Sequence, residues 1–280
     1  MLTNLKSKYK ITNLDIVRFI SQFGFFSFIL YISIGRLVYG GGKFGFPSLG
    51  TYSPFGGFVK IFQNLGAGTY IFSMPLTKLI LLGATVLTAV VAGRAFCGWI
   101  CPFGSVQEWL SLLGRRAFPE QIKLPEKIDS ALRYIKYIIL ALILTVAATT
   151  GAMIFKLFNP YSALFHFLPA GRHGAGLWGN VTIGAAITMA IFLTLSMFID
   201  RAWCRYACPF GAIQALFNKI SFIKPVRNVD ICKNCKQCSQ IYCPMGIEIS
   251  TLTETSTECI RCLRCVDKCN FNAVEAKLEG

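Results

Sequence analysis

Charged residues are scarce in this sequence of 280 residues, and the acidic ones are the scarcest. Charged residues make up 15% of the chain and hydrophobic residues 54%, whereas about a quarter of an average soluble domain is charged. This shortage of charge excludes an ordinary soluble enzyme. Asp and Glu number 13 against 28 Lys and Arg, which gives a net charge of +15. The net positive charge alone would indicate nucleic-acid binding. Whether it does depends on where the basic residues lie along the chain.

Four uncharged runs are long enough to cross a bilayer, which takes about 20 mostly apolar residues. The first run follows a basic segment, as in a signal peptide, but it is long and no small-residue cleavage site follows it. We therefore interpret it as a retained helix after a cytoplasmic segment, 1–18. The sequence predicts an all-α integral membrane core of four transmembrane helices within residues 19–223. The runs lie between Arg18 and Arg36, from about Met74 to Gly93, between Lys136 and Lys156, and from about Asn180 to Asp200.

The basic residues fall on one side of these predicted helices. The loops at about 37–72 and 157–180 contain no Asp or Glu and only three basic residues, Lys43, Lys60 and Arg172. Because basic loops stay in the cytoplasm, we expect a multi-pass protein of a prokaryotic cell membrane with both termini cytoplasmic. The basic excess then reflects topology and contact with anionic lipid. No nucleic-acid partner is predicted.

The membrane part contains a duplication. Residues 94–107 read RAFCGWICPFGSVQ, and residues 201–214 read RAWCRYACPFGAIQ. The duplication predicts two tandem repeats, at about 19–116 and 133–223, each with a C-x3-C-P turn after a membrane helix. Two repeats with the same orientation imply a pseudo-twofold axis along the membrane normal.

Such an axis could bring the cysteines of the two turns together at the inner membrane face. We call them the turn cysteines: Cys97, Cys101, Cys204 and Cys208. Four soft ligands are enough for a further iron–sulfur cluster or for a soft metal such as Cu(I). Redox-active thiols and purely structural turns are the alternatives, and the spacing of the cysteines does not decide between these possibilities.

The remaining eight cysteines lie in a tail, 224–280, that we predict to be a small α+β ferredoxin-like domain. Each tail motif has three cysteines at steps of three and a fourth further on, and in two-cluster ferredoxins the fourth ligand comes from the other motif. Zinc ribbons instead pair two C-x2-C knuckles over a longer spacer. The sequence therefore predicts two [4Fe–4S] clusters. The cluster-one cysteines are Cys232, Cys235, Cys238 and Cys269, and the cluster-two cysteines are Cys259, Cys262, Cys265 and Cys243.

Paired C-x3-C-P-F-G turns followed by a two-cluster tail resemble a known family of membrane-bound polyferredoxins. The family includes the membrane quinol-dehydrogenase component of periplasmic nitrate reductase systems and the C-terminal half of the nitrous-oxide reductase accessory protein. The resemblance implies an electron-transfer subunit of a quinol-dehydrogenase type of oxidoreductase. It would link the membrane quinone pool to an iron–sulfur or extracytoplasmic partner protein. A related branch with similar motifs reduces copper during oxidase assembly, and a metal-handling assembly factor is therefore the alternative function.

Quinol oxidation also needs a proton acceptor near the quinone ring. The outer loops offer only His166 and His173 with a suitable pKa. On the inner side, Asp200 and Glu108 flank the cysteine turns. We therefore take His166, Asp200 and Glu108 as hypothetical quinone contacts at a membrane interface.

Overall fold

The computed structural model describes residues 12–39, 54–66, 76–118, 124–151, 154–166, 183–248 and 256–278, and these residues are mostly helical. A short 3-10 helix, Ile154–Leu157, and a π-helix, Cys238–Tyr242, accompany the α-helices, and two strands lie in the tail: β1 (Ile223–Arg227) and β2 (Val274–Leu278). The α-helices are α1 (Asn13–Tyr39), α2 (Pro54–Gly66), α3 (Leu76–Ala92), α4 (Ala95–Trp99), α5 (Pro102–Ala117), α6 (Glu126–Thr150), α7 (Pro160–His166), α8 (Ile183–Phe198), α9 (Ala202–Tyr206), α10 (Pro209–Phe217) and α11 (Arg264–Asp267).

The duplicated sequence forms a duplicated helical unit. An apolar helix, a one-turn helix and a longer helix follow one another as α3, α4 and α5, and again as α8, α9 and α10. Both longer helices begin at the proline of the C-x3-C-P turn, Pro102 or Pro209. Proline suits the first helical position because its fixed φ is already helical and the missing N–H has no partner there. The cysteine before each proline is the extended residue that caps the helix.

Two of the four predicted membrane helices are long enough to span a bilayer. They are α1 over Asn13–Gly35 and α6 over Lys127–Thr150, and only 22% of the most apolar window of each is buried. Large apolar side chains on α1, such as Ile20 and Phe28, are exposed, as expected of a surface that faces lipid rather than water. The other two, α3 and α8, are apolar but have 17 and 16 residues. The predicted start of the fourth run, near Asn180, lies outside the described residues.

The long helices do not begin where the sequence placed them. We took Arg18 and Lys136 as helix ends, but α1 begins at Asn13 and α6 at Glu126, so both charges lie inside helices and are buried. Helix α6 also ends earlier than predicted, because Gly151 adopts a left-handed conformation and caps it with an N–H donated to the carbonyl of Ala147.

Strands β1 and β2 pair the beginning of the tail with its end. They pair antiparallel, with Pro225 opposite Ala276, so the segment that leaves the second repeat joins the end of the described chain. The two cysteine motifs lie between the strands, with the π-helix in the first and α11 in the second. The tail is therefore α+β, as expected of a small ferredoxin-like unit.

The membrane part packs through an apolar core and through close approach of helix backbones at glycine. A core of Val59 from α2, Leu140 and Ala147 from α6 and Ala212 from α10 joins the two repeats. Helix α5 lies against α8 at Gly114, where a Cβ would be 2.0 Å from the carbonyl oxygen of Met197. Such close backbone approach at small residues is typical of helix packing in membranes.

Replacing Gly114 by alanine should destabilise this core, because the added Cβ would collide with the α8 backbone. Overpacking of this kind costs about 1–3 kcal/mol. Gly83→Ala is the matched control, since a Cβ at Gly83 meets nothing within 4 Å. We expect only Gly114→Ala to lower the thermal unfolding midpoint of the detergent-solubilised protein. Equal midpoints for the two variants would contradict the close packing of α5 on α8.

Candidate metal centres

The cluster-one cysteines line one cavity near the end of the tail. Cys232, Cys235, Cys238 and Cys269 all face it, although the first and last are separated by the whole second motif. Cys235 is exposed, so the cavity opens at the surface of the tail. Basic side chains also line it: Arg227, Lys233, Lys236 and Lys268.

The cluster-two cysteines come together deeper in the protein. Cys265 interacts electrostatically with Cys262, Cys259 and Cys243. Burial raises the pKa of Cys243 to about 12, so the free group is a thiol at neutral pH. A bound metal takes up the thiolate and releases the proton, and the donor set of four sulfurs is the one that iron–sulfur clusters use.

The two triple-cysteine loops have the same backbone shape. In both loops, the residues two and four positions after the first cysteine have a left-handed backbone conformation. They are Asn234 and Lys236 in the first loop and Arg261 and Leu263 in the second. A left-handed conformation is unfavourable for residues other than glycine, and it recurs where a ligand site requires it. The repeated departure supports two like ligands, one inside each loop.

The fourth ligands also match each other. Each fourth cysteine accepts a hydrogen bond at its sulfur from the backbone N–H of the residue four positions later. Ile247 donates to Cys243 at 3.4 Å, and Ala273 donates to Cys269 at 3.3 Å. N–H groups directed at a cysteine sulfur stabilise its thiolate and tune a bound cluster. The residues of the tail therefore fit two [4Fe–4S] clusters. Cys265 also interacts electrostatically with Cys238, so the two sets adjoin.

The structure brings the four turn cysteines together as well. Cys101 interacts electrostatically with Cys204, Cys97 and Cys208. Burial raises the pKa of three of these thiols, Cys97, Cys101 and Cys208, to about 11 for Cys97 and about 12 for Cys208. Free thiols with such pKa values are poor nucleophiles at neutral pH, which weakens the hypothesis of redox-active thiols.

Two glutamines connect each repeat to a turn cysteine of the other repeat. Gln107 of the first repeat donates from Nε2 to Cys204 Sγ of the second at 3.6 Å. Its counterpart in the second repeat, Gln214, accepts from Cys97 Sγ of the first at 2.8 Å. Each repeat therefore completes the surroundings of the other repeat's first cysteine.

Two arginines connect the repeats in the same way. Arg94 donates to the carbonyl of Cys204 at 3.2 Å, and Arg201 donates to the carbonyl of Cys97. The glycines of the two P-F-G sequences make room for them, since a Cβ at Gly104 would lie 3.1 Å from Arg201 and one at Gly211 would lie 3.0 Å from Arg94. Both guanidinium groups are fully buried.

Glu108 holds one of these arginines. Its buried carboxylate pairs with Arg201, with Arg18 of α1 at 3.0 Å and with Arg264 of the tail at 2.7 Å. Burial alone would raise the pKa of Glu108, but the three arginine charges lower it well below 4.5. Glu108 is therefore ionised and joins both repeats to the tail.

Glu258 of the tail holds the other arginine. It pairs with Arg94 at 2.9 Å and with Lys136 of α6 at 2.5 Å. The position in the second repeat that corresponds to Glu108 is Ala215, at the same offset of 107 residues that relates the two turns. The carboxylate that the second repeat lacks is thus supplied by the tail.

The cluster-two loop rests directly on the first turn. A Cβ at Gly98 would lie 2.4 Å from the carbonyl oxygen of Ile260, and Trp99 Nε1 donates to the carbonyl of Arg261 at 3.0 Å. Cys97 packs in one apolar cluster with Ile260 and Cys262. The cluster-two cysteines are therefore the tail set nearer to the membrane part.

Of the three hypothetical quinone contacts, two have described side chains. Glu108 is held by three arginines, and its low pKa makes it a poor proton acceptor. Asp200 forms an ion pair with Arg115 at the end of α8. His166 ends α7, but its side chain, like all of His173, lies outside the described residues. The quinone contacts stay a prediction.

Sequence reasoning missed Arg18, Lys136 and Glu258, and it gave Gln107 and Gln214 no role. The glutamines had a signal, because they recur in the two copies of the motif. The ion pairs join residues from 90 to more than 120 positions apart, and no local pattern indicates such contacts. In the described part of the chain, no three Cys, His, Asp or Glu residues converge on a single metal ion. A cubane needs a wider arrangement, because each thiolate binds a different iron.

The fold and the cysteine sets define an iron–sulfur protein of the ferredoxin type, joined to two helices that are long and apolar enough to cross a membrane. Comparison with known proteins agrees. The family described as 4Fe-4S binding domain matches residues 74–119 and 181–227, so each matched segment contains one C-x3-C-P turn. No solved structure matches the chain.

Several known proteins are similar to this chain over most of its length. YccM of Escherichia coli (strain K12) is 32% identical over 221 residues, which cover 77% of this chain and 59% of YccM. MJ0750 of Methanocaldococcus jannaschii is 32% identical over 68% of this chain and 74% of its own length. The ferredoxin-type protein NapH of E. coli is 29% identical over 74% of this chain and 69% of NapH. The chain belongs to the family of membrane polyferredoxins with paired C-x3-C-P turns, which confirms the resemblance seen in the sequence.

Replacing Glu258 by glutamine should loosen the tail, because Arg94 and Lys136 would stay buried without a counter-charge. Breaking a buried ion pair costs about 3–5 kcal/mol. Glu275→Gln is the control, since Glu275 is exposed on β2. We expect Glu258→Gln to unfold at a lower temperature and to lose its tail to protease sooner than the control. Identical behaviour of the two variants would refute the role given to Glu258.

The same ion pairs should make stability depend on pH. Burial would raise the pKa of Glu258, but the charges of Arg94 and Lys136 lower it below the ordinary 4.5. A carboxyl whose pKa is lowered by folding adds its full contribution to the free energy of unfolding at any pH above its ordinary pKa. That contribution is lost as pH falls through the lowered pKa of the folded state. Between about pH 5 and about pH 3, the unfolding midpoint should therefore fall less steeply in Glu258→Gln than in the unmodified protein. Parallel slopes would contradict the lowered pKa.

Proposed function

We propose that this protein carries electrons between the membrane quinone pool and a redox partner protein through two [4Fe–4S] clusters in its tail. The observation that carries the proposal is the convergence of eight cysteines into two adjoining sets of four. A [4Fe–4S] cluster passes one electron at a time, so two clusters in series accept the two electrons of a quinol stepwise. The names of YccM and NapH, which refer to electron transport and to ferredoxin, agree with this role.

The positions of the two sets support an order for the transfer. The cluster-two loop contacts the first C-x3-C-P turn through Ile260 and Arg261, so this set faces the membrane part. The cluster-one set faces outward, with Cys235 exposed. The Cys265–Cys238 interaction joins the two sets. We propose that electrons pass between the membrane side and the outer side in this order, in whichever direction the partner requires.

The surface around the outer set supports an acidic partner. Arg227, Lys233, Lys236 and Lys268 line the cavity of the cluster-one cysteines. Lys236 pairs with Glu248 and Lys268 with Asp15, so these two charges are partly compensated within the protein. A basic rim steers a partner of opposite charge and speeds its association. The partner that fits is a redox protein with an acidic face around its own cofactor.

The membrane arrangement completes the proposal. We propose that α3 and α8 cross the membrane together with α1 and α6, that both termini are cytoplasmic, and that the tail begins near residue 224. The matching order of α3–α5 and α8–α10 supports parallel repeats, and the quinone would bind at the interface near the turns.

Quinol should reduce the protein. In anaerobically purified full-length protein, a menaquinol analogue should bleach the visible absorbance of the clusters. In Cys259→Ser/Cys262→Ser, which lacks two cluster-two ligands, quinol should leave cluster one oxidised while dithionite still reduces it. The absence of bleaching with any quinol would refute the quinone link. Reduction of cluster one by quinol at the normal rate in the variant would refute only the order.

Single-ligand variants test the assignment of the fourth ligands. Because each fourth cysteine comes from the other motif, Cys269→Ser should alter the same EPR signal as Cys238→Ser. Cys243→Ser should alter the signal that Cys265→Ser alters. If Cys243→Ser and Cys238→Ser changed one signal together, each motif would bind its own cluster and the assignment would be wrong.

A further inference from the structure

We infer that the four turn cysteines bind one further iron–sulfur cluster, shared between the two repeats on the pseudo-twofold axis. Each segment that matches the 4Fe-4S binding family contains only two cysteines. Neither repeat can therefore hold a four-cysteine cluster alone. The structure places both pairs in one group, in which Cys101 interacts with Cys97, Cys204 and Cys208.

An unpartnered amide supports a thiolate at this place. Gln214 Nε2 is buried and has no hydrogen-bond partner among the described residues, because its Oε1 faces the Cys97 thiol. A metal-bound cysteine has no proton to donate and only accepts. With Cys97 bound to iron, the Gln214 amide would turn so that Nε2 donates to Cys97 Sγ. Gln107 already donates in this way to Cys204, so the two repeats would become equivalent.

The surroundings also provide positive charge for an anionic group. Arg94 and Arg201 are fully buried, and each interacts electrostatically with Cys204. Four thiolates and an iron–sulfur core carry net negative charge, and two buried arginines offset it. The backbone adds further donors, with the N–H of Gly211 donating to Cys208 Sγ at 3.3 Å and that of Gly104 bonded to Cys101.

The place of this group in the fold suits an intermediate cluster. Cys97 packs in one apolar cluster with Cys262, Cys243 and Cys259 of the tail. On its other side, Cys101, Cys204 and Cys208 pack against side chains of α8, such as Phe192 and Leu193. The shared cluster would lie between the membrane helices and the cluster-two cysteines. The site stands on its own residues, while its part in electron transfer rests on the proposed function.

The iron content of the full-length protein, purified anaerobically in detergent, tests the inference. Two tail clusters alone give about eight irons per chain, and a shared cluster raises the count to about ten or about twelve, for a two-iron or a four-iron core. In Cys97→Ser/Cys204→Ser, which removes one ligand from each repeat, the count should return to about eight with the EPR signals of the tail unchanged. The matched control, Cys232→Ser/Cys238→Ser, should lose the cluster-one signal and keep that of the shared cluster.

The outcomes separate this inference from the proposed function. About eight irons in the unmodified protein, with both tail signals present, would overturn the shared cluster and leave the tail clusters standing. Stoichiometric copper at the turn cysteines in place of iron would overturn it as well. Gln107→Leu and Gln214→Leu should each keep the iron and shift the reduction potential of one signal only, which a purely structural role of these amides would not do. Absence of the tail signals would instead refute the proposed function.

Discussion

The rest of this structure depends on the neutralisation of two arginines that are buried behind the cysteine turns. Arg94 and Arg201 each donate a hydrogen bond to the backbone of the opposite turn. A buried guanidinium is costly unless a carboxylate pairs with it. Glu108 and Glu258 fulfil that requirement, and the same two carboxylates bind Arg18 or Lys136 from the long helices. The cysteine geometry, the seating of the membrane helices and the docking of the tail therefore rest on two ion-pair clusters.

The two triple-cysteine loops could be recognised in the sequence because the spacing of their cysteines is local, whereas the fourth ligand of each set comes from the other motif and stays a prediction. Steps of three residues constrain one loop, and the left-handed residues at matching places in both tail loops show that like spacing yields like backbone. The duplication was equally visible, since α4, α5, α9 and α10 follow the repeated motif residue by residue. What joins the sets, such as the Cys265–Cys238 interaction, connects separate loops and has no local signal.

The helix ends were wrong for a physical reason. Hydropathy treats a charge as the end of a membrane segment, so Arg18 and Lys136 were placed at helix ends. Each is tolerated inside its helix because a carboxylate from a distant segment reaches it. Glu258 could not be anticipated, since it lies in the tail and its partners lie in the membrane part. The early end of α6 could have been predicted from the sequence, because Gly151 is a typical helix-terminating residue.

Ala215, at the position that corresponds to Glu108, has a consequence for the exchange of parts between related proteins. A pair of repeats without the tail would keep Arg94 and Lys136 buried with no carboxylate to pair with them, and would be less stable for that reason. The two parts therefore stabilise each other, and a ferredoxin module taken from a relative would have to bring a matching acidic residue with it.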